Sequence, residues 1–328
     1  MERDEPPEDE GPLPGRFFRT REIHKKFGID SLGALWEWME SGAPVPVPKG
    51  AKPPAPGSKR TFYRGQPNAD YALTSSLFRE IWANDPDVTE MKMQEVEKNL
   101  LMVMKHIEGI GRLMTDGELL AVLQHHGIPT RLIDVSAEPY EALFFAVDRA
   151  EDTDGRLFII ELPAVTRDGQ PDTILLTAQD ELEWKGTALG PRNAKSAWTN
   201  RVAVIHPNDL DPRMRAQRGR FLVGGLTASY PGRPMRFEGK RLTAQQQDEI
   251  TNLNIFFPDY AVPGKNWPAK AWTVRIEAQW KRGLRDRLKA LDKPITMDSM
   301  YPPIGEVRRL ALREIGSMAR TFRVPKSA

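Results

Sequence analysis

The sequence predicts an α+β fold in which a helical N-terminal half surrounds a central mixed β-sheet. Apolar residues recur at helical spacing through much of residues 16–150, whereas short runs of β-branched and aromatic residues recur over residues 156–278. The two kinds of segment do not alternate regularly, as the βαβ units of a parallel sheet would. With 328 residues, of which 40% are hydrophobic and 28% charged, the chain is long enough to bury a sizeable core.

Composition excludes several classes of protein. The 47 Lys+Arg and 45 Asp+Glu residues give a net charge of +2, which lacks the basic excess of a general nucleic-acid coat. Because the chain has no cysteine, it can form no disulfide, no thiolate nucleophile and no zinc site built on sulfur. The acidic start MERDEPPEDE is unlike a signal peptide, and no apolar run is long enough for a membrane span. We therefore expect a soluble, cytoplasmic protein that needs no metal.

The N-terminal region predicts one helix between two segments with little to bury. Asp30 or Ser31 is expected to cap this helix, and its apolar face runs from Leu32 to Met39. Acids and prolines dominate before it, and six prolines follow it within Gly42–Gly57. The expected boundaries are a disordered acidic leader (1–15), a helical segment (16–41), a proline-rich connector (42–58), a main domain (59–318, with a candidate insertion at 165–200) and a basic tail (319–328).

The main domain is predicted to open with a strand, Thr61–Arg64, that Gly65 stops. A helix with an apolar stripe from Val96 to Ile107 follows, and Asp116 is expected to cap the next one. A helix is predicted to close the domain at Ile304–Ile315. Further strands are predicted at Arg131–Val135, Arg156–Leu162, Thr173–Thr177, Arg201–Ile205, Phe221–Val223 and Ala271–Ala278.

The densest group of chemically active residues is Gln124–Ala146, with the sequence QHHGIPTRLIDVSAEPYEALFFA. Polar groups so close to an apolar core must be paired, which predicts a buried ion pair between Arg131 and Asp134. Of the two neighbouring histidines, His126 is expected to face inward. Ser136 is expected to cap a helix with Pro139 in its first turn, whose free N–H groups would favour an anion.

Three motifs together resemble those of the FRG domain family, a bacterial and phage-associated family named for its Phe-Arg-Gly motif. The first is Tyr63-Arg64-Gly65-Gln66, followed by Ser76-Leu77-Phe78-Arg79, and the second is the Gln124–Ala146 block. The third is Ala216–Phe221 with Arg213 or Arg215 before it, so the resemblance spans roughly residues 20–315. It implies a toxin or phage-defence effector, with an unknown acceptor macromolecule and a neutralising partner protein.

A second resemblance, to ADP-ribosyltransferases of the Arg-Ser-Glu type, implies a chemistry with NAD as substrate. In that family a strand ends in Arg-Gly, a second strand ends in a hydroxyl residue before a helix, and a later strand begins with a catalytic Glu. Arg64, Ser136 and Gln217 occupy these places in the same order. An amide cannot act as a carboxylate base, so Asp134 or Glu138 is the candidate to replace the missing acid.

The implied catalytic set is therefore Arg64, Asp134, Ser136 and Gln217. Arg64 would hold the pyrophosphate of NAD with its guanidinium fork, and Ser136 would orient the nicotinamide ribose. The residues that the resemblance assigns to the NAD pocket are Tyr63, Arg64, Gly65, His126, Arg131 and Ser136.

Two other functions stay open on the sequence. One is a non-catalytic module that senses a nucleotide or binds a partner through the same pocket. The other is a metal-dependent nuclease, because Asp172, Glu183 and Lys185 match a loose spacing in which carboxylates bind Mg²⁺. Residues 281–328 hold twelve Lys/Arg against five Asp/Glu, which would allow a nucleic-acid contact.

Overall fold

The computed structural model describes residues 11–47, 59–107, 114–163, 175–177, 202–206, 219–226, 235–258 and 269–301. It confirms the α+β class. The strands in these ranges are β1 (Lys59–Gln66), β2 (Ile133–Ser136), β3 (Gly155–Pro163), β4 (Leu175–Thr177), β5 (Val202–His206), β6 (Gly219–Gly224), β7 (Arg236–Phe237), β8 (Lys240–Arg241), β9 (Ile255–Phe256) and β10 (Ala269–Ile276).

The helices pack around this sheet and come mostly from the N-terminal half of the chain. They are α1 (Leu13–Arg19), α2 (His24–Phe27), α3 (Leu32–Glu40), α4 (Ser76–Asn84), α5 (Glu90–Met102) with a π-helical turn (Val103–Ile107), α6 (Asp116–His125), α7 (Pro139–Val147), α8 (Ala244–Ile250), α9 (Lys281–Lys289) and α10 (Met297–Met300). None of these helices combines the length and the hydrophobicity that crossing a lipid bilayer requires.

The main sheet has eight strands in the order β4-β5-β6-β2-β1-β3-β10-β9, and its pairs β4–β5 and β9–β10 are parallel while the others are antiparallel. β1 pairs with β3 along its whole length, from Lys59 to Gln66. On its other side, β1 pairs with β2 only through Tyr63 and Ser136. The pairing between β1 and β2 is therefore much shorter than that between β1 and β3, because β1 and β2 diverge at the centre of the sheet.

Gly65 was expected to stop β1, and this prediction is wrong, because the strand continues through it to Gln66. Its role is steric. A Cβ atom there would collide with the carbonyl oxygen of Ala142 and lie 2.7 Å from the nitrogen of Ala146. Since both are backbone atoms of α7, only glycine lets this helix approach β1 so closely.

We predict that Gly65→Ala lowers the free energy of unfolding by about 1–3 kcal/mol, because α7 must move away from the sheet. Gly219 is the matched control, since it is also a strand glycine and a Cβ there meets nothing within 4 Å. Urea unfolding followed by circular dichroism measures both variants. Equal stability of Gly65→Ala and Gly219→Ala would contradict the steric role.

The N-terminal segment belongs to the same core as the sheet. Helix α3 is capped by Ser31, one of the two expected residues, whose Oγ accepts from the backbone N–H of Ala34 at 3.2 Å. Leu35 of α3 packs in the cluster that contains α7 and β10, and Phe18 of α1 packs on the opposite face of the sheet. Helix α1 begins at Leu13, inside the segment expected to be a leader.

Two predicted helix caps are wrong. Thr115, not Asp116, caps α6, because its side chain and that of Glu118 bind each other's backbone N–H in a capping box. Ser136 does not cap α7, because it is the last residue of β2, and the N-cap position belongs to Glu138. The strand predicted at Arg131–Val135 is thus shifted towards the C-terminus.

The stripe predicted to bury α5 is also wrong at its first position. Val96 is exposed, whereas Met93, Glu97 and Leu101 of the same helix are buried. The π-helical turn that follows α5 widens the helix and changes the angular position of later residues.

The helix predicted at Ile304–Ile315, the basic tail and residues 1–10 lie outside the described residues.

Candidate functional site

A cleft of about 370 Å³ opens where β1 and β2 diverge, and it reaches the end of α7. Its lining comes mainly from β1, β2 and β6, from the end of α6 and from the end of α7. Its walls combine charged, polar and aromatic side chains, as ligand pockets do. The lining residues are Tyr63, Arg64, Gly65, Pro67, Gln124, His125, Gly127, Asp134, Val135, Ser136, Phe145, Asp148, Arg149, Gly219, Phe221 and Tyr301.

Arg64 occupies the gap between the diverging strands. Its Nη1 donates a hydrogen bond of 2.6 Å to the backbone carbonyl of Asp134, in place of the ladder bond that β1 and β2 do not make there. The side chain is 18% exposed, and its buried Nε has no hydrogen-bond partner among the described residues. Burial lowers the pKa of Arg64, Asp134 opposes this shift and Arg79 adds to it. Of the five N–H donors of the guanidinium, one is used by the carbonyl of Asp134 among the described contacts.

Asp134 presents its carboxylate at the mouth of the cleft, where it is 60% exposed. It accepts a 2.7 Å hydrogen bond from Nε2 of Gln124 and lies 4.0 Å from Nη1 of Arg64. Gln124 is fixed in turn, because its Oε1 accepts from the hydroxyl of Thr130 at 2.7 Å. An exposed carboxylate held by an amide can accept a proton while keeping its position.

Ser136 and Tyr63 lie opposite each other in the one residue pair that joins β1 and β2. Ser136 is buried and also faces Gly219, the first residue of β6. Burial raises the pKa of the Tyr63 phenol, and the negative charges of Glu138 and Glu161 raise it further. Tyr63 is therefore a neutral donor at physiological pH. Glu138 itself is exposed and does not line the cleft.

The predicted ion pair between Arg131 and Asp134 is wrong, and Arg131 does not line the cleft. Its Nε donates to Glu97 at 2.8 Å and its Nη1 to Glu90 at 2.9 Å, both on α5. Arg131 precedes β2 and turns towards that helix, whereas Asp134 lies within β2 and turns towards Arg64. Arg131 thus has a structural role among the described contacts.

The expectation for the two histidines is reversed. His125, the last residue of α6, lines the cleft, whereas His126 is exposed. The helix ends in a turn in which Gly127 has a φ of +75° and the N–H of Ile128 donates to the carbonyl of Leu123. Because neighbouring helical residues point about 100° apart, only one of the two histidines faces the cleft, and it is His125.

Several lining residues were missed by sequence reasoning. Asp148 and Arg149 follow the apolar face of α7 directly, so a charged pair at a helix end was the signal that could have found them. Tyr301 packs edge-on against Phe145, with ring centroids 6.2 Å apart. No local pattern identifies Tyr301, because it lies more than 150 residues from Phe145 in the sequence.

Gln217 and the candidate nuclease residues Asp172, Glu183 and Lys185 lie outside the described residues. Within the described ranges, no group of three or more His, Asp or Glu side chains is arranged to hold a metal ion. Gly219, two residues after Gln217 in the sequence, is the nearest described residue to it and lines the cleft.

The fold and the cleft define an α+β protein with a mixed polar and aromatic pocket at the divergence of two central strands. Residues 59–155 match the family model of the FRG domain, and the chain carries an FRG domain, as its motifs predict. Neither a curated protein nor a solved structure matches the chain. The matched range contains Arg64, Asp134, Ser136 and Asp148, whereas Gly219 and Tyr301 complete the cleft from outside it.

Proposed function

We propose that the cleft binds NAD and transfers its ADP-ribose group to an acceptor macromolecule. The observation that carries this proposal is the convergence of three distant segments. Arg64 on β1, Ser136 on β2 and the first residue of β6 lie on adjacent strands and line one cleft. These are the segments that correspond to the arginine, hydroxyl and acid positions of Arg-Ser-Glu ADP-ribosyltransferases.

The unused hydrogen-bonding capacity of the cleft suits a dinucleotide. Arg64 has donors beyond the one that Asp134 occupies, and a guanidinium binds the oxygens of a pyrophosphate in pairs. Phe145 and Tyr301 offer aromatic faces to a base or a nicotinamide ring. The lining includes Ser136, before α7, and Asp148, after its last residue, and the nine residues of that helix rise about 13 Å, a span that suits an extended ligand.

The transfer breaks the bond between the nicotinamide nitrogen and C1′ of its ribose. Nicotinamide leaves as a neutral molecule with the bonding electron pair, and C1′ develops positive charge. An acceptor nucleophile bonds to C1′ and gives up one proton, which Asp134 accepts as its carboxylate lies at the mouth of the cleft. Arg64 orients the pyrophosphate, and Ser136 orients the ribose that reacts.

The alternative function is a module that senses a nucleotide without turning it over. The amide at Gln217 favours it, because an amide accepts no proton at the position where the resemblance requires a carboxylate. This function predicts binding of NAD without release of nicotinamide.

The interpretation of the transferase as a toxin or defence effector also predicts a neutralising partner protein.

The decisive experiment measures nicotinamide release and label transfer from radiolabelled NAD, with and without cell extract. We expect extract-dependent transfer by the wild type and at least a hundredfold loss in Arg64→Ala, because the pyrophosphate loses its positioning group. Arg64→Lys keeps the charge but not the fork, and we expect an intermediate loss.

Arg79→Ala is the control, since Arg79 is a neighbouring arginine that does not line the cleft. The melting temperature of each variant is measured alongside the activity. Binding of NAD without nicotinamide release under any condition would favour the sensing module. If a folded wild type neither bound NAD nor consumed it, the proposal would be overturned.

A further inference from the structure

We propose that Asp148 makes the cleft select NAD over NADP by accepting hydrogen bonds from the hydroxyls of the adenosine ribose. The inference rests on the proposed function, and it assigns a role to a carboxylate that neither the motifs nor the resemblance includes. NADP differs from NAD only by a phosphate on the 2′-oxygen of that ribose. A carboxylate at this place therefore discriminates between the two molecules.

Asp148 is a carboxylate with unused acceptor capacity. It follows the last residue of α7, lines the cleft and is only 9% exposed. Among the described residues, its carboxylate accepts a single hydrogen bond, a long contact of 3.4 Å from Nε of Arg149. A buried carboxylate normally satisfies several acceptor positions, so the hydroxyl groups of a ligand complete this one. Asp134, the other lining aspartate, is instead held by Gln124.

Asp148 and Ser136 mark opposite ends of the cleft. Ser136 lies just before the start of α7 and opposite Tyr63, whereas Asp148 follows its end. The helix runs across β1 between them, since a Cβ on Gly65 would meet both Ala142 and Ala146. If Ser136 holds the nicotinamide ribose and Arg64 the pyrophosphate, the remaining ribose of NAD lies towards the Asp148 end.

Because Arg149 lies beside Asp148, substitution of Asp148 is expected to reverse the preference for NAD over NADP. Its side chain is 69% exposed and lines the same end of the cleft. In the wild type, the carboxylate of Asp148 repels a 2′-phosphate and also engages the guanidinium of Arg149. Without that carboxylate, Arg149 is available to pair with the phosphate, which is how proteins accommodate NADP.

Titration calorimetry with NAD and NADP tests the inference on the full chain. We expect the wild type to bind NAD about tenfold or more tightly than NADP. In Asp148→Ser the ratio should fall to about one or reverse, because NAD affinity drops while NADP affinity rises. Adding Arg149→Ala to that variant should remove the gain in NADP affinity. Asp148→Asn provides a second variant of nearly unchanged shape, and melting temperatures verify folding.

Asp152→Ser is the matched control, because Asp152 is an exposed aspartate in the turn after α7 and does not line the cleft. Its ratio of affinities should equal that of the wild type. A wild type that bound NAD and NADP equally, or an Asp148→Ser variant with an unchanged ratio, would overturn the role of Asp148 and leave the proposed function standing. Absence of NAD binding in the folded wild type would overturn both.

Discussion

Replacing Arg131 with methionine is expected to lower the free energy of unfolding by about 3–5 kcal/mol, because it leaves a buried carboxylate without its counter-ion. Glu97 is fully buried on α5 and accepts a hydrogen bond from Nε of Arg131 at 2.8 Å. Glu90 accepts a hydrogen bond from Nη1 of Arg131 and another from the backbone N–H of Leu226 at 3.1 Å. The group therefore ties α5 to the residues before β2 and after β6.

The pKa directions within this group show why the arginine matters. Burial raises the pKa of Glu97, and the attraction of Arg131 offsets that shift only in part. Burial acts to lower the pKa of Arg131, but Glu97 and Glu90 outweigh it, so its pKa is raised and it stays charged. Removing Arg131 takes away the attraction on Glu97 and leaves the effect of burial.

This difference gives the Arg131→Met variant a pH dependence of known sign. A carboxyl whose pKa is higher in the folded than in the unfolded protein binds more protons when folded. Stability is then lost as the pH rises from about the unfolded value, 4.5, through the folded pKa. We expect the variant to be closest to the wild type at the lowest pH measured and to fall further below it as the pH rises.

Urea unfolding at pH 5, 6, 7 and 8 measures this effect. The double variant Arg131→Met with Glu97→Gln should recover part of the loss at pH 7, because no buried carboxylate is then left unpaired. A deficit that did not depend on pH would mean that packing, not the uncompensated charge, causes it. A loss below about 1 kcal/mol would contradict the buried ion pair itself.

Replacing Lys281 with methionine is the second large effect, with an expected loss of about 2–5 kcal/mol. Lys281 is fully buried at the start of α9. Its Nζ donates to the carbonyls of Pro67 at 2.7 Å, Ala150 at 2.8 Å and Arg149 at 3.0 Å. Methionine fills a similar volume but donates nothing, so these carbonyls lose their donor.

The same substitution is expected to weaken nucleotide binding, because two of those carbonyls belong to residues that line the cleft, Pro67 and Arg149. Thermal unfolding and NAD titration well below the melting temperature measure the two effects separately. Lys289→Met is the control, since Lys289 is on the same helix and its side chain is 59% exposed. If both lysine variants melted at the wild-type temperature, the buried ammonium would not be the link between α9 and the cleft.

Local sequence patterns were sufficient for the elements that carry the site. The β-prone run at Thr61–Arg64, the proline in the first turn of α7 and the apolar face of that helix each reflect interactions between near neighbours in the chain. The FRG motifs indicated the family because they combine several such elements in one order. These patterns placed Arg64, Asp134 and Ser136 together before any contact was known.

One source of error is that spacing along the chain does not say which distant group a polar side chain meets. Asp134 is only three residues from Arg131, but the side chains of these two residues face different sides of the chain. Arg131 therefore pairs with Glu97 on α5. The choice between His125 and His126 failed for a local reason, because neighbouring helical residues point about 100° apart and the sequence does not say which of the two faces the cleft.

The sequence by itself determined the α+β class, the FRG domain and the strands and helix that supply Arg64, Asp134 and Ser136. Only the tertiary structure decided that Asp148 and Tyr301 share their cleft and that Lys281 holds its wall. The physical reason is that a buried polar group must find a partner wherever the folded chain brings one, and for Lys281 that partner, Pro67, is 214 residues away.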